Sequence, residues 1–135
     1  MAKLEGLAHV GLFIMDLERS KAFYRDILDF NVIYECENED ADGSVAKIAF
    51  IQNGNLVIEL VEFENPQAKG DGIVDHIAIA VEDIEEVKKM LAGRGITFES
   101  GETAFGKTVF PNGTKWVMFR GPDGEHLELN EIMPY

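Results

Sequence analysis

Four side chains able to bind a metal recur at matched places in this sequence. His9 opens the stretch Ala8-His9-Val10-Gly11-Leu12-Phe13-Ile14-Met15-Asp16-Leu17, and His76 opens Asp75-His76-Ile77-Ala78-Ile79-Ala80-Val81-Glu82-Asp83-Ile84. Later in each copy a Glu stands inside an apolar frame: Glu59 in Leu56-Val57-Ile58-Glu59-Leu60-Val61 and Glu128 in His126-Leu127-Glu128-Leu129-Asn130. Two imidazoles and two carboxylates form a hard-to-borderline donor set suited to divalent Ni, Zn, Co, Mn or Fe. Four protein ligands on an ion that takes more leave room for substrate, so the set reads as catalytic rather than structural. A lone His or Glu in a strand is usually an ordinary surface or hydrogen-bonded residue. It is the recurrence of both types in the same strand phase that points to one metal centre held by His9, Glu59, His76 and Glu128.

The elements that must carry these residues follow from hydrophobic periodicity. In the apolar run after each His, alternation puts His9, Gly11 and Phe13 on one strand face and Val10, Leu12 and Ile14 on the other. The same phase groups His76 with Ala78 and Ala80, Val57 with Glu59 and Val61, and His126 with Glu128 and Asn130. Asp16 and Asp83 then stand where helix N-caps belong. Leu17, Tyr24, Ile27 and Leu28 form the buried stripe of the first helix, and Ile84, Val87 and Leu91 that of the second. Gly93 and Gly95 close the second helix.

Further strands are expected at Asn31–Glu35, Val45–Ile51 and Leu56–Phe63, the last two joined through Asn53-Gly54, a hairpin signal. In the second copy they are expected at Ile96–Glu99, Lys115–Arg120 and Glu125–Ile132, with Pro122-Asp123-Gly124 supplying a turn. Residues 37–43 read as a solvated acidic loop, and 101–113 as an irregular strand with a hairpin or a flap. The expected fold is α+β: two repeated βαβββ modules, residues 4–64 and 73–132 about a 65–72 linker, forming one domain with a cupped, barrel-like mixed sheet and helices outside. Such a cup would aim all four donors at its concave face.

His126 has no counterpart in the first copy, where Val57 holds the same offset from Glu59, so it is read as a residue of the pocket mouth and not as a ligand. Phe13, Phe63, Trp116 and Met118 are candidates for the pocket wall, with Arg120 as a cation beside it. The 135 residues carry 12 Lys and Arg against 25 Asp and Glu, a net charge of −13, which repels phosphate backbones and argues against nucleic acid and anionic membranes as partners. The one cysteine, Cys36, sits in an acidic segment that opposes thiolate formation and is taken as inert. With no apolar run of membrane length and no leader-like apolar core at the start, a cytoplasmic protein is expected. Exposed sheet edges in each module favour a homodimer acting on a small molecule.

On these residues the chain resembles the vicinal oxygen chelate superfamily, and within it the glyoxalase I-like (lactoylglutathione lyase-like) proteins. The resemblance rests on His9 with Asp16-Leu17-Glu18-Arg19-Ser20-Lys21-Ala22-Phe23-Tyr24, on Val57-Ile58-Glu59-Leu60, on Asp75-His76-Ile77-Ala78 and on Pro122-Asp123-Gly124-Glu125-His126-Leu127-Glu128-Leu129. It implies one divalent ion on His9, Glu59, His76 and Glu128, binding adjacent oxygens of an α-hydroxycarbonyl or hemithioacetal. Glu128 would then take a proton from carbon, with Glu59 as its partner across the ion. One departure is marked: Phe13 and Phe63 stand where family members acting on the glutathione adduct carry Arg and Asn, so a different thiol or substrate is expected.

The competing readings are an acyl-CoA epimerase of methylmalonyl-CoA epimerase type, disfavoured by the shortage of basic residues, and a metal-free ligand-binding protein of bleomycin-resistance type. Extradiol dioxygenase chemistry would need three open positions on the ion, which a fourth ligand at Glu59 opposes. Thiol transfer to a phosphonate would need a more electropositive pocket than Lys115 and Arg120 provide.

Overall fold

The computed structural model describes residues 2–135. They divide into two compact units, the first ending at Lys69 and the second running from Gly70 to Tyr135. The first contains β1 (Val10–Phe13), α1 (Leu17–Asp26), β2 (Asn31–Glu39), β3 (Val45–Asn53) and β4 (Leu56–Glu62). The second contains β5 (Ile77–Ala80), α2 (Ile84–Gly93), β6 (Ala104–Gly106), β7 (Thr114–Arg120) and β8 (His126–Ile132). Strand order is β1-β4-β3-β2 in one sheet and β5-β8-β7-β6 in the other, the same arrangement twice. In both, the strand after the His pairs parallel with the strand bearing the Glu, and the other pairings are antiparallel. The expected α+β class with two βαβββ units is therefore what the chain adopts.

Each helix is held to its sheet by an apolar stripe. Leu17, Tyr24 and Leu28 of the first unit are buried together with Phe30, Ile51, Ile58 and Leu60. Ile84 and Leu91 of the second are buried, as are Val117, Phe119, Leu127 and Leu129. Full burial of such a side chain is worth about 1.5–3 kcal/mol, so this layer carries most of each unit's stability. Along β8 the apolar residues Leu127 and Leu129 alternate with Glu128, which fixes the phase of the site. A one-residue slip would turn the carboxylate into the core.

Three boundaries differ from expectation. β1 begins only at Val10, where its ladder with Ile58 starts, and Gly6 at φ 92° interrupts an extended path before it. β2 runs through Glu39, because Glu37, Asn38 and Glu39 pair with Lys47, Ala46 and Val45, so the first three residues of the acidic loop are strand. The turn that remains is tied by Asp42, whose side chain accepts from the Ser44 N–H and hydroxyl. Ile96–Glu99 is not a strand: the Glu99 N–H donates to the Met118 carbonyl of β7, but the Ile96 N–H turns back to the Leu91 carbonyl, and the edge position beside β7 is taken by Ala104–Gly106. Alternation over four residues cannot distinguish a strand from a connection lying along one.

Helix starts show a second repeated carboxylate. Asp16 and Asp83 cap their helices as expected, accepting from the Arg19 and Glu86 amides. In addition Glu62 accepts from the Leu17 amide at 2.7 Å, and Glu131 from the Asp83 and Ile84 amides, each at 3.0 Å. Each stands three positions after a site glutamate, Glu59 or Glu128, so both sheets lock their helix through an equivalent acid. The amide of Ile84, then that of Asp83, holds the Glu131 carboxyl below the ordinary glutamate range. A depressed pKa stabilises the fold above the unfolded-state value and loses that contribution as pH falls through the folded one. Glu131→Gln should lower unfolding free energy by about 0.5–2 kcal/mol at neutral pH, as loss of a helix cap does. Urea titrations repeated at falling pH should show this gap closing below the ordinary glutamate pKa.

Candidate functional site

Within the first unit, Gly11 on β1 lies opposite Glu59 on β4, and Phe13 opposite Val61. Directly paired residues project to the same side of a sheet, which brings His9, two positions before Gly11, towards Glu59. His9 Nε2 is 3.5 Å from Glu59 Oε1, and its ring packs edge-on against Phe50 at 5.4 Å. Gly11 has a local reason to be small: a Cβ there would sit 3.5 Å from Glu59 Oε1, against the carboxylate. Ala78 holds the equivalent place opposite Glu128 in the second unit, where His76 Nε2 is 3.8 Å from Glu128 Oε1.

The two pairs share a geometry and differ in their support. Glu128 is 8 % exposed, and its Oε2 accepts from the Asn130 side-chain amide at 3.0 Å. Asn130 is oriented by the buried Thr114, whose hydroxyl donates to Asn130 Oδ1 at 2.7 Å. This leaves Oε1 as the oxygen facing His76. Val61 occupies the corresponding position after Glu59, so Glu59 has no such amide.

The spacing of each His–Glu pair suits a shared cation better than a hydrogen bond. At 3.5 and 3.8 Å the atoms are beyond ordinary N–H···O range. Two ligands about 2.0–2.2 Å from one ion lie roughly 3–3.5 Å apart, so small side-chain movements would seat an ion in either pair. The structure thus brings together His9 with Glu59 and His76 with Glu128, each across a parallel strand pair.

The residues expected to line a pocket fall in both units. Phe13 and Phe63 meet edge to face at 4.9 Å and line a cavity of about 170 Å³ with Ile14, Asn65, Pro66, Gln67 and Lys69. Trp116 and Met118 lie opposite Asn130 and Glu128 on β7, half-buried on the Glu128 side of the sheet. Arg120 is fully engaged: Nε binds Glu99, Nη1 and Nη2 bind the two Asp71 oxygens, and Nη1 also reaches the Gly124 carbonyl. These hydrogen bonds hold Asp71 below the usual carboxylate range. Cys36 is half-buried and makes no disulfide.

Sequence reading did not find the acids around His76. Asp71, Asp75 and His126 each offer a ligand-capable atom within 4.8 Å of the others. Asp75 Oδ2 takes a hydrogen bond from His76 Nδ1 at 2.9 Å, which holds Asp75 below its ordinary pKa. The residue before each His is Ala8 in one copy and Asp75 in the other, so repetition does not mark it.

The model of the glyoxalase/bleomycin resistance protein/dioxygenase superfamily matches residues 6–129. The chain belongs to this superfamily. Among superfamily relatives, Bacillus subtilis YwkD is 33% identical over 132 residues, covering 95% of this chain and 98% of that protein. The lactoylglutathione lyase of Salmonella typhimurium is 29% identical over 129 residues, covering 93% of this chain and 91% of the lyase. A glyoxalase family protein from Enterococcus faecalis has a solved structure that superposes with a TM-score of 0.72 at 26% identity, covering 94% of this chain and 98% of its own. The repeated sheets are thus those of a superfamily many of whose members are enzymes. Among the described residues no helix is long and apolar enough to cross a membrane.

Proposed function

We propose that this superfamily member is a metal-dependent isomerase or lyase of glyoxalase I type, with His9, Glu59, His76 and Glu128 as the ligands of one divalent ion. The observation that carries the reading is the twofold occurrence of a His Nε2 at 3.5 or 3.8 Å from a Glu oxygen, close to the separation of two ligands of one ion, in otherwise matching sheets. Each unit contributes half of the donors, and the two halves act together whether they come from one chain or from two copies in a homodimer. β1 and β2 are the outer strands of one sheet and β5 and β6 of the other, and sheet edges of this kind support a dimer. Ni, Zn, Co, Mn and Fe all accept this donor set.

When bound, such an ion neutralises negative charge growing on neighbouring oxygens of the substrate. The chain's own residues do the rest. Glu128, buried to all but 8 % of its surface, takes a proton from the carbon beside a carbonyl and returns it to the adjacent carbon. The net change is a shift of hydrogen within the substrate, so no oxidant or second reactant is consumed. Asn130 donates to one oxygen of Glu128 and so fixes the orientation of the carboxylate. Glu59 would be its partner in holding the ion. Phe13 and Phe63 make the cavity wall of the first unit largely apolar, with Lys69 as the cation among its lining residues, 5.9 Å from the Phe13 ring, which supports a hemithioacetal other than the glutathione adduct.

The test is turnover of methylglyoxal premixed with a series of thiols, each with and without added Ni, Zn, Mn and Co. Metal-stimulated thioester formation, better with a small uncharged thiol than with glutathione, is the expected result. A metal-free protein whose melting temperature rises with none of these ions, and which turns over none of the adducts, would support a ligand-binding protein of bleomycin-resistance type instead.

A further inference from the structure

We infer that Asp75 is a positioning residue for the proposed ligand His76, and that His126 holds Asp75 in place. The inference rests on the reading of His76 and Glu128 as a metal half-site. An ionised carboxylate can only accept, so the 2.9 Å contact between Asp75 Oδ2 and His76 Nδ1 places the ring hydrogen on Nδ1. The lone pair of His76 is then on Nε2, the nitrogen that faces Glu128 at 3.8 Å. A carboxylate behind the imidazole fixes ring orientation and tautomer and raises the basicity of the coordinating nitrogen.

Asp75 is exposed and would be a loose support if nothing held it. His126 is the group packed beside it. Its Nδ1 is buried without a hydrogen-bond partner and lies 3.5 Å from the same Asp75 oxygen, while its ring meets that of His76 edge to face at 6.3 Å. Its Nε2 is 3.1 Å from Glu99 Oε1. Glu99 is in turn bonded by Arg120 Nε at 2.9 Å, and Arg120 grips Asp71. A run of side-chain contacts thus leads from Arg120 through Glu99 and His126 to Asp75, ending on the ring that would bind the ion. This gives His126, which has no repeat counterpart, a task other than ligation.

The first unit lacks the device. Ala8 precedes His9, whose ring rests on Phe50, and among the described residues Glu59 is the only carboxylate within ion-pair distance of it. The half-sites are therefore unequal, with His76 oriented in advance and His9 free to adjust.

Calorimetric titration of the whole protein with Ni(II) and Co(II), together with nitrogen-15 NMR of the imidazoles in the metal-free protein, tests this. Wild type should show His76 protonated on Nδ1. Asp75→Ala should bind either ion about 10–100-fold more weakly and should lose the Nδ1–H form. Asp75→Asn, whose amide oxygen still accepts from Nδ1–H, should recover most of the affinity, and His126→Phe should fall between. Because Asp75 is exposed, melting temperatures of the metal-free proteins should change little. Equal affinity in wild type and Asp75→Ala, equal losses in the Ala and Asn variants, or a wild-type His76 protonated on Nε2 each overturn the inference. So does an ion that survives His76→Ala and is lost in His126→Ala, since it would sit on Asp71, Asp75 and His126. A wild type that binds no ion refutes the metal reading itself, while the NMR result still decides whether Asp75 orients the ring.

Discussion

Glu128→Gln should reduce turnover by about 10²–10⁴-fold, the usual contribution of a placed general base, while leaving the fold intact. The substitution keeps shape and volume and removes the charge. Glu128 is 8 % exposed in a frame of buried Leu127 and Leu129, so the new amide has little freedom to move. Its amide nitrogen would also meet a donor, because the Asn130 NH2 now points at Glu128 Oε2 and is fixed there by Thr114. The glutamine must therefore place its oxygen towards Asn130 and its NH2 towards His76, where a cation would otherwise be. Weaker ion binding should accompany the loss of rate. Asn130→Ala offers a control: it frees the carboxylate without removing it, and should cost far less than Glu128→Gln. Steady-state kinetics on whichever hemithioacetal the thiol series identifies would measure both. Full activity in Glu128→Gln would end its role as base.

How far the site was legible in the sequence depended on repetition. The candidate ligands His9, His76, Glu59 and Glu128 stand out because each residue type occurs twice in the same phase, and the structure places His9 near Glu59 and His76 near Glu128. The helix caps Asp16 and Asp83 were readable for the same reason. Glu62 and Glu131 also recur, three places after the site glutamates, but a repeated surface acid has no meaning until the helix start it reaches is known. Asp75, Glu99 and Asp71 were illegible for the opposite reason: they occur in one copy only and join His126 and Arg120 from distant parts of the second unit.

The fold was legible where apolar residues alternate over five or more positions and less so elsewhere. β3, β4, β7 and β8 lie close to where the pattern put them, since their buried positions, such as Ile51, Ile58, Val117 and Leu129, leave no second register. β2 is exposed along nearly all of its length, so its true end was set by pairing with β3 and not by its own composition. The same holds for β6, three residues long, where Gly106 leaves room for Trp116: a Cβ there would meet the indole at 3.1 Å.

The central claim is that the two half-sites serve a single ion. Two His and two Glu divided between matching sheets could instead make two weak sites, or none. A pair of ligands holds a divalent ion poorly because it supplies only half of a tetrahedral set, and water must fill the rest. Removing both donors of one half, as in His9→Ala with Glu59→Ala, should then abolish tight binding throughout and not halve its extent. The decisive measurement is the number of ions bound per chain, by elemental analysis after calorimetric titration, in wild type and in each half-site double variant. The account predicts one ion per chain in wild type and none held tightly after loss of either His9 and Glu59 or His76 and Glu128. One ion retained at undiminished affinity by either double variant, or two per chain in wild type, would contradict it.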